Sequence, residues 1–227
     1  MAYNEFLKAN TIRPNNPAIL LNLGVALGSL GKHESAKKYY KQVIEIDPLN
    51  SQVHVLIGND KNLSEATKYY KKAIKFDPNN AMAFYNWGTK LFNVVQEKLH
   101  IGELIKKGDE RLKILNDAES KLRKAVELDP FLPEALHNLG AVLNIKGEWE
   151  EAKTTLHRAL SLSPNNAAIN YSLGEAYRLL NIHEKAKKYY KKAIDLNVRY
   201  NIGADCPARY YEEFFLYHGK PKTTSPE

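Results

Sequence analysis

The residues best suited to chemistry in this sequence are seven histidines, one cysteine and a group of glycines near the N-terminus. Histidine and cysteine could bind zinc, but no HExxH, no CxxC and no carboxylate cluster at ligand spacing accompanies them. Cys206 has no recognisable base near it, and the proline after it indicates a helix start. Gly24, Gly28 and Gly31 lie in a helical pattern and its turn rather than after a strand, so they form no phosphate loop. We therefore expect no catalytic site, no metal and no cofactor.

A Lys-Tyr-Tyr-Lys motif that occurs three times could bind nucleic acid. It spans residues 38–41, 68–71 and 188–191. Aromatic stacking combined with positive charge is how proteins hold single strands, so RNA binding is one hypothesis. The alternative is structural: the second tyrosine packs inward while the lysines face solvent. We favour the structural alternative because lysines outnumber arginines 26 to 7, whereas arginine is the better fork for phosphates. Nucleic acid is thus an unlikely partner.

The composition is that of an ordinary globular protein. Of 227 residues, 44% are hydrophobic and 26% charged, and the net charge of +7 is spread along the chain rather than gathered in one block. No apolar run approaches the roughly 20 residues that span a bilayer. The N-terminus lacks the layout of a signal peptide, and a single cysteine cannot form an internal disulfide. We expect a cytoplasmic protein without a membrane span.

The elements that position these residues repeat along the chain. Prolines at the same offset after helical stretches are spaced 34, 30, 52 and 34 residues apart. They are Pro14, Pro48, Pro78, Pro130 and Pro164. Between them, apolar residues at i, i+3 and i+7 give each helix one stripe to bury. Glycines and alanines at fixed places allow close helix approach, and Gly31, Gly147 and Asn181 stand where a turn needs positive φ. No hairpin of this kind can bury its own stripe, so neighbours must stack.

This pattern resembles the tetratricopeptide repeat family over roughly residues 1–198. The resemblance implies an all-α fold, a right-handed α-α superhelix (a TPR solenoid) of about five repeats plus an N-terminal half repeat. We expect a half repeat over 1–16, the repeat array over 17–198, and a C-terminal capping helix with a polar tail over 199–227. A capping role is favoured over membrane contact for the aromatic segment 208–218.

Three departures from the pattern carry expectations of their own. The N-terminal helix matches only the second helix of a repeat and has no first helix before it. Its open apolar edge could therefore support self-association. The second repeat is four residues short, which predicts a shortened first helix and a connection at residues 60–62. The third repeat is 18 residues too long, which predicts two extended helices that turn at Gly108–Asp109 and project from the array.

In the tetratricopeptide family the first helix of each repeat lines the concave face, so groove residues can be assigned by position. The sixth position holds Asn22, Asn86 and Asn138, but is interrupted by Leu56 and Ser172. Asparagine both donates and accepts hydrogen bonds, so a row of asparagines could bind an extended main chain. Around this row the fifth and twelfth positions supply further candidates. These are Tyr85, His137, Tyr171, Asn144 and Arg178. The fifth positions hold no basic residue, which argues against a clamp for chaperone carboxylates.

The resemblance therefore implies a non-catalytic protein-protein interaction scaffold or adaptor that binds a peptide or partner protein in the concave groove. One alternative is that the chain is the TPR arm of a larger enzyme, such as a glycosyltransferase. Another alternative is an RNA-binding helical repeat protein.

Overall fold

The structure is a computed structural model that describes residues 2–97 and 109–200, without the side chains of 197–200. Within these ranges it contains eleven α-helices and no strand, as the repeat pattern predicts. The helices are α1 (Ala2–Ile12), α2 (Pro17–Ser29), α3 (His33–Ile46), α4 (Ser51–Asn59), α5 (Leu63–Phe76), α6 (Ala81–Gln96), α7 (Glu110–Leu128), α8 (Pro133–Lys146), α9 (Trp149–Leu162), α10 (Ala167–Leu179) and α11 (His183–Tyr200).

The chain divides into two compact units, Met1–Val94 and Val95–Glu227. In the first unit α2 pairs with α3 and α4 with α5, and α1 lies against α2. In the second unit α8 pairs with α9 and α10 with α11, and α7 packs on α8. Each pair is a helical hairpin, and each unit buries its apolar stripes between neighbouring hairpins.

Polar side chains fix where several helices begin. The Oδ1 of Asn16 accepts hydrogen bonds from the backbone N–H groups of Ala18 and Ile19, at 3.0 and 3.2 Å. Asn166 does the same at the start of α10. Each such cap satisfies a backbone donor that has no partner inside the helix, and is worth about 1 kcal/mol. Asn50, Asn62, Asn80 and Asp109 also act as side-chain caps.

The turns inside three hairpins have the left-handed backbone that their residues predict. Gly31 has a φ of 73° and Gly147 a φ of 87°. Asn181 stands at the corresponding place in the last hairpin with a φ of 59°. Asparagine tolerates this region better than other side chains do.

Prolines end the second helices by acting on the residue before them. α3, α5, α7 and α9 end immediately before a cap residue, and a proline follows each cap. A residue before proline is pushed out of the helical region toward extended backbone, as Asp47 shows with φ −132° and ψ 83°. The fifth repeat has Val198 where the others have proline. Consequently α11 runs on to Tyr200.

Glycines allow the two helices of a hairpin to come closer than side chains would permit. A Cβ at Gly24 would lie 2.3 Å from Cε1 of Tyr40. A Cβ at Gly140 would lie 2.4 Å from Cγ of Leu156. Non-bonded carbons settle at about 3.5–4.0 Å, so the bulky residue of the second helix occupies the place of a side chain on the first. The predicted role of these glycines in close packing is confirmed.

The core consists of the positions that the repeat pattern marks as apolar. Each buried leucine or tyrosine of this kind contributes about 1.5–3 kcal/mol relative to an exposed one. In the first hairpin the predicted positions are all buried, namely Leu20, Leu23, Leu27, Ala36, Tyr40 and Val43. In the fourth and fifth repeats they are Leu136, Leu139, Leu143, Ala152, Leu156, Ala159, Leu173, Tyr177, Ala186, Tyr190 and Ala193.

The irregular repeats have the predicted helix lengths. α4 has nine residues where α2 has thirteen, and the connection to α5 is made by residues 60–62. α6 and α7 have 16 and 19 residues, so both helices of the third repeat are extended. Asp109 caps α7, while Gly108, the expected projection of this hairpin and the expected helix at 208–218 lie outside the described residues.

Candidate functional site

In the second unit the first helices of two consecutive repeats are fastened to each other by polar side chains. His137 Nε2 on α8 is 3.0 Å from Oγ of Ser172 on α10. One turn further along α8, Nδ2 of Asn144 donates to the backbone carbonyl of Ser172 at 2.9 Å. Asn144 is only 6% exposed. Its side chain therefore joins two repeats and is not presented to a ligand.

Burial also fixes the charge state of His137. Removal of the imidazole from water lowers the pKa of His137 below its ordinary value, because burial disfavours the charged form. A neutral imidazole has one donor and one acceptor nitrogen, which suits a hydrogen bond with a hydroxyl group. His137 thus aligns α8 and α10 as a neutral side chain.

Tyr171 and Arg178 form the part of this surface that reaches toward solvent on α10. The ring of Tyr171 is half-buried and lies 5.8 Å from the ring of Tyr190, tilted by 45°. Arg178 forms an ion pair with Glu175 at 3.0 Å, and its side chain keeps 25% of its surface exposed. The hydroxyl of Tyr190 donates to the same carboxylate. The carboxylate of Glu175 thus anchors both Arg178 and Tyr190.

In the first unit two asparagines of the predicted row lie on α2 and α6. Asn22 is exposed, and its side-chain amide makes no hydrogen bond to any residue that the structure describes. Asn86 is half-buried, and its Nδ2 donates to the carbonyl of Met82 one turn earlier at 2.8 Å. Tyr85, next to Asn86, is half-buried, and Met82 is 47% exposed.

The predicted row divides between the two units. Asn22 and Asn86 belong to the first unit, and Leu56 of α4 stands between them in the repeat order. Asn138 belongs to the second unit, where it is half-buried on α8. Ser172, which interrupts the row in the fifth repeat, is buried, and it forms the hydrogen bonds with His137 and Asn144 of α8.

The recurrent Lys-Tyr-Tyr-Lys motif separates into a buried half and an exposed half. Its second tyrosines, Tyr40, Tyr70 and Tyr190, are at most 7% exposed. Burial raises the pKa of Tyr70 well above its ordinary value. Its hydroxyl donates to Oδ1 of Asn59 at 2.8 Å. The lysines of all three motifs are exposed.

Sequence reasoning missed a pocket in the first unit, which we call the repeat-two pocket. It has a volume of about 390 Å³ and lies among α3, the end of α4 with its connection, and α5. It is lined by Lys37, Tyr40, Lys41, Ile44, Glu45, Ile57, Asp60, Lys61 and Tyr69. The 30-residue spacing between Pro48 and Pro78 was the available signal, because a shortened first helix leaves space beside its neighbours.

The described residues show neither a metal site nor a membrane-spanning helix. In ranges 2–97 and 109–200, no three histidine, cysteine, aspartate or glutamate side chains come together in a way that could hold a metal ion. Over the same part of the chain, every helix is too short or too polar to cross a bilayer.

Comparison with known families matches the repeats directly. Three family profiles, each described as tetratricopeptide repeat, match residues 17–50, 58–80 and 131–197. Together they cover more than half of the chain. The middle match begins at Gly58, in the last turn of the shortened helix α4.

The curated relatives are much longer proteins. The chain is 26% identical over 205 residues to protein O-mannosyl-transferase TMTC3 of Homo sapiens, which covers 88% of this chain and 22% of that protein. It is 43% identical over 56 residues to protein O-mannosyl-transferase Tmtc2 of Drosophila melanogaster, or 25% of this chain and 6% of that one. The chain thus spans about a fifth of the length of the human relative.

Solved structures share the fold at low sequence identity. The crystal structure of YrrB, described as a TPR protein with an unusual peptide-binding site, has a TM-score of 0.59 at 24% identity, covering 93% of this chain and all of that one. A chain in the crystal structure of the APC/C hetero-tetramer Cut9-Hcn1 has a TM-score of 0.75 at 15% identity, covering 93% of this chain and 38% of that chain. Given its repeat spacing, its glycine-packed hairpins and these matches, the chain belongs to the tetratricopeptide repeat family.

Proposed function

We propose that this chain is a non-catalytic scaffold that binds an extended peptide or a partner protein on the face formed by the first helices of its repeats. The observation that carries the proposal is the fastening of α8 to α10 through His137, Asn144 and Ser172. These links hold the neighbouring first helices in a fixed relation, so the polar and aromatic side chains beside them are positioned before a ligand arrives. Preorganisation of this kind reduces the entropy lost on binding.

In the second unit the ligand contacts are assigned to Asn138, Tyr171 and Arg178. Tyrosine and arginine are favoured anchors at protein interfaces, and Glu175 holds Arg178 in place through an ion pair. In the first unit the contacts are assigned to Asn22, Tyr85 and Asn86. Asn22 supports this assignment best, because an exposed amide can pair with a peptide main chain.

The experiment selects peptides from a combinatorial display library on the full chain and then measures their affinity by fluorescence anisotropy. Replacement of Asn22, Asn86 and Asn138 by alanine is expected to weaken binding by at least about tenfold, since three hydrogen bonds of about 1 kcal/mol each are lost. The matched control replaces Lys38, Lys68 and Lys188, exposed lysines of the second helices, by alanine. Binding that survives the asparagine changes, or is lost with the lysine changes, contradicts the proposal.

The similarity to O-mannosyl-transferases favours a second candidate function. It extends over 88% of this chain but only 22% of the human protein. In this candidate, the chain is the repeat arm of a longer transferase and its binding face holds a polypeptide acceptor. Immunoblotting of the endogenous protein tests the idea. A band near 25.8 kDa, the mass of this chain, excludes the candidate, whereas a much larger band supports it.

Two finer points on partners belong to the same proposal. The exposed apolar residues of α1, Leu7 at 40% and Ile12 at 78% exposure, give a surface for self-association. Sedimentation of the wild type and of a Leu7→Ser, Ile12→Ser variant tests this, and unchanged monomer for both contradicts it.

Because the second tyrosines of the Lys-Tyr-Tyr-Lys motifs are buried, we assign these motifs a structural role and propose no nucleic-acid partner. We also propose a cytoplasmic location, to be tested by imaging of the tagged full-length protein.

A further inference from the structure

The second and fifth repeats differ by a deletion whose structural consequence can be read within this chain. Eleven residues separate Gly174 from Ala186, but only seven separate Gly58 from Ala66. The missing four residues shorten the first helix, which ends at Asn59. In the fifth repeat the third residue after the glycine is Tyr177. In the second repeat that place falls to Lys61, which belongs to the connection.

Tyr177 shows what fills this place in the fifth repeat, whereas the first, third and fourth repeats have Leu27, Leu91 and Leu143 there. It is 5% exposed. Its ring stacks on the ring of Tyr189 with centroids 5.4 Å apart and planes within 5°. Its hydroxyl shares a hydrogen bond of 2.9 Å with Nε2 of His157. Tyr177 is thus held by the ring of Tyr189 on α11 and by the imidazole of His157 on α9.

The repeat-two pocket is formed by the residues that correspond to these partners. Tyr69 follows Ala66 by three residues, as Tyr189 follows Ala186. Lys41 follows Ala36 by five residues, as His157 follows Ala152. Both Tyr69 and Lys41 line the pocket. The pocket therefore has an aromatic ring and a polar side chain at the places that contact Tyr177 in the fifth repeat, but no aromatic side chain at the place of Tyr177 itself.

Lys61 does not take the place of the absent ring. Its Nζ lies 3.4 Å from the carboxylate of Glu65, and its side chain is 39% exposed. A volume of about 390 Å³ remains, within the range of roughly 300–1,000 Å³ that ligand pockets occupy. The apolar side chains Ile44 and Ile57 complete the lining.

We propose that the repeat-two pocket binds the side chain of a tyrosine from a partner protein, with its ring on Tyr69 and its hydroxyl oxygen accepting a hydrogen bond from Nζ of Lys41. The pocket is lined by the carboxylates of Glu45 and Asp60 as well as by Lys37, Lys41 and Lys61, so an acidic residue beside that tyrosine would pair with Lys41. Lys37 and Lys61 already pair with carboxylates, but no carboxylate in the described part of the chain lies within ion-pair distance of Lys41. Apart from Ile57 on α4, the lining comes from second helices and the connection, and it shares no residue with the ligand contacts proposed above.

The probe is a five-residue peptide, acetyl-Gly-Asp-Tyr-Asp-Gly-amide, with otherwise identical peptides that carry phenylalanine or leucine in place of tyrosine. Binding to the full chain is followed by NMR through the methyl signals of Ile44 and Ile57, which line the pocket and are present in every variant. Phenylalanine is expected to bind about fivefold more weakly than tyrosine, for the loss of one hydrogen bond. Leucine lacks both the hydroxyl and the ring, so it is expected to bind about twentyfold more weakly than tyrosine, for the loss of the hydrogen bond and of ring stacking. Equal affinity for tyrosine and leucine overturns the proposal.

Three variants connect the binding to the pocket. Tyr69→Leu and Lys41→Met are each expected to weaken the tyrosine peptide by about fivefold or more. The control Lys38→Met, an exposed lysine that does not line the pocket, leaves the affinity unchanged. Replacement of residues 59–62 by the sequence of 175–182 restores the full helix with its own tyrosine and is expected to abolish binding. Peptide binding that survives both Tyr69→Leu and the restored helix, or no binding of the tyrosine peptide at millimolar concentration, overturns the proposal.

Discussion

Replacement of Gly24 by alanine tests whether close helix approach limits what each hairpin can accept. The new methyl group would lie 2.3 Å from Cε1 and 2.7 Å from Cδ1 of Tyr40, whose ring is only 7% exposed. Overpacking of this kind costs about 1–3 kcal/mol, while exchange of glycine for alanine in a helix returns about 1 kcal/mol. Because a contact of 2.3 Å is so short, the cost should lie in the upper part of that range, at about 2–3 kcal/mol, and we expect a net loss of about 1–2 kcal/mol in the free energy of unfolding.

The same helix supplies a matched control. A Cβ at Gly28 meets only the hydroxyl of Tyr40, at 3.8 Å, which is ordinary contact. Gly28→Ala therefore keeps the gain in helix propensity without the clash. With a urea slope of about 2 kcal/mol per molar, the midpoint of unfolding followed by circular dichroism falls by about 0.5–1 M for Gly24→Ala and rises by about 0.4 M for Gly28→Ala.

Removal of the ring isolates the clash. In a Tyr40→Ala background, Gly24→Ala is expected to cost nothing, because the atoms that it would meet are gone. Two results refute the reasoning: a midpoint that rises for both glycine variants, or a cost of Gly24→Ala that persists without the tyrosine. The first result means that the hairpin opens to accept a side chain at small cost, and the second means that the cost does not come from the contact with Tyr40.

Four other predictions concern the ion pairs of Glu119, the pH dependence of stability, backbone strain at Gly31 and RNA binding. Glu119→Gln weakens hydrogen bonds with two basic partners, Lys146 and Arg123, and is expected to lower the free energy of unfolding by about 1.5 kcal/mol. The corresponding change at Glu127, whose pair with Lys124 is exposed, costs under about 0.5 kcal/mol in the same urea titration. Burial and neighbouring lysines lower the pKa of His157, so the unfolded chain binds protons more readily than the folded chain does. The urea midpoint should therefore fall as the pH drops from about 7.5 to below 6.5. The fall should be smaller in His157→Gln. Gly31→Ala should destabilise by about 1 kcal/mol without any clash, because its φ of 73° is strained for alanine, whereas a midpoint that does not move contradicts the strain. RNA binding measured in a salt titration should be undetectable even at low salt, and an affinity that falls steeply with salt would identify phosphate contacts instead.

The sequence predicted the fold because the repeat pattern constrains each hairpin many times over. Gly24, Ala36 and Tyr40 each have a fixed place in the repeat, and that place alone predicts which of them are buried. The shortened α4 and the extended α6 and α7 followed from spacing alone. α11 continues to Tyr200 because Val198, unlike proline, does not interrupt a helix.

The candidate binding surface was less predictable, because position within a repeat does not determine which side chains form hydrogen bonds with a neighbouring repeat. Asn144 stands at a position that the family exposes, yet a carbonyl of α10 takes its amide. Ser172 looked like a gap in the asparagine row and proved to be the residue to which α8 is attached. The repeat-two pocket required a comparison of two repeats in space, since the deletion shows only that residues are missing and not which contact they leave open.

The steric fit between each glycine and its bulky partner is contained within one hairpin. Gly24 and Tyr40 are sixteen positions apart, as are Gly140 and Leu156, and Gly174 and Tyr190. A genetic duplication or loss whose breakpoints fall between hairpins therefore carries both halves of the fit together, and one whose breakpoints fall inside a hairpin separates them. Arrays of this kind can consequently change in length by whole hairpins without any compensating substitution at these tight contacts.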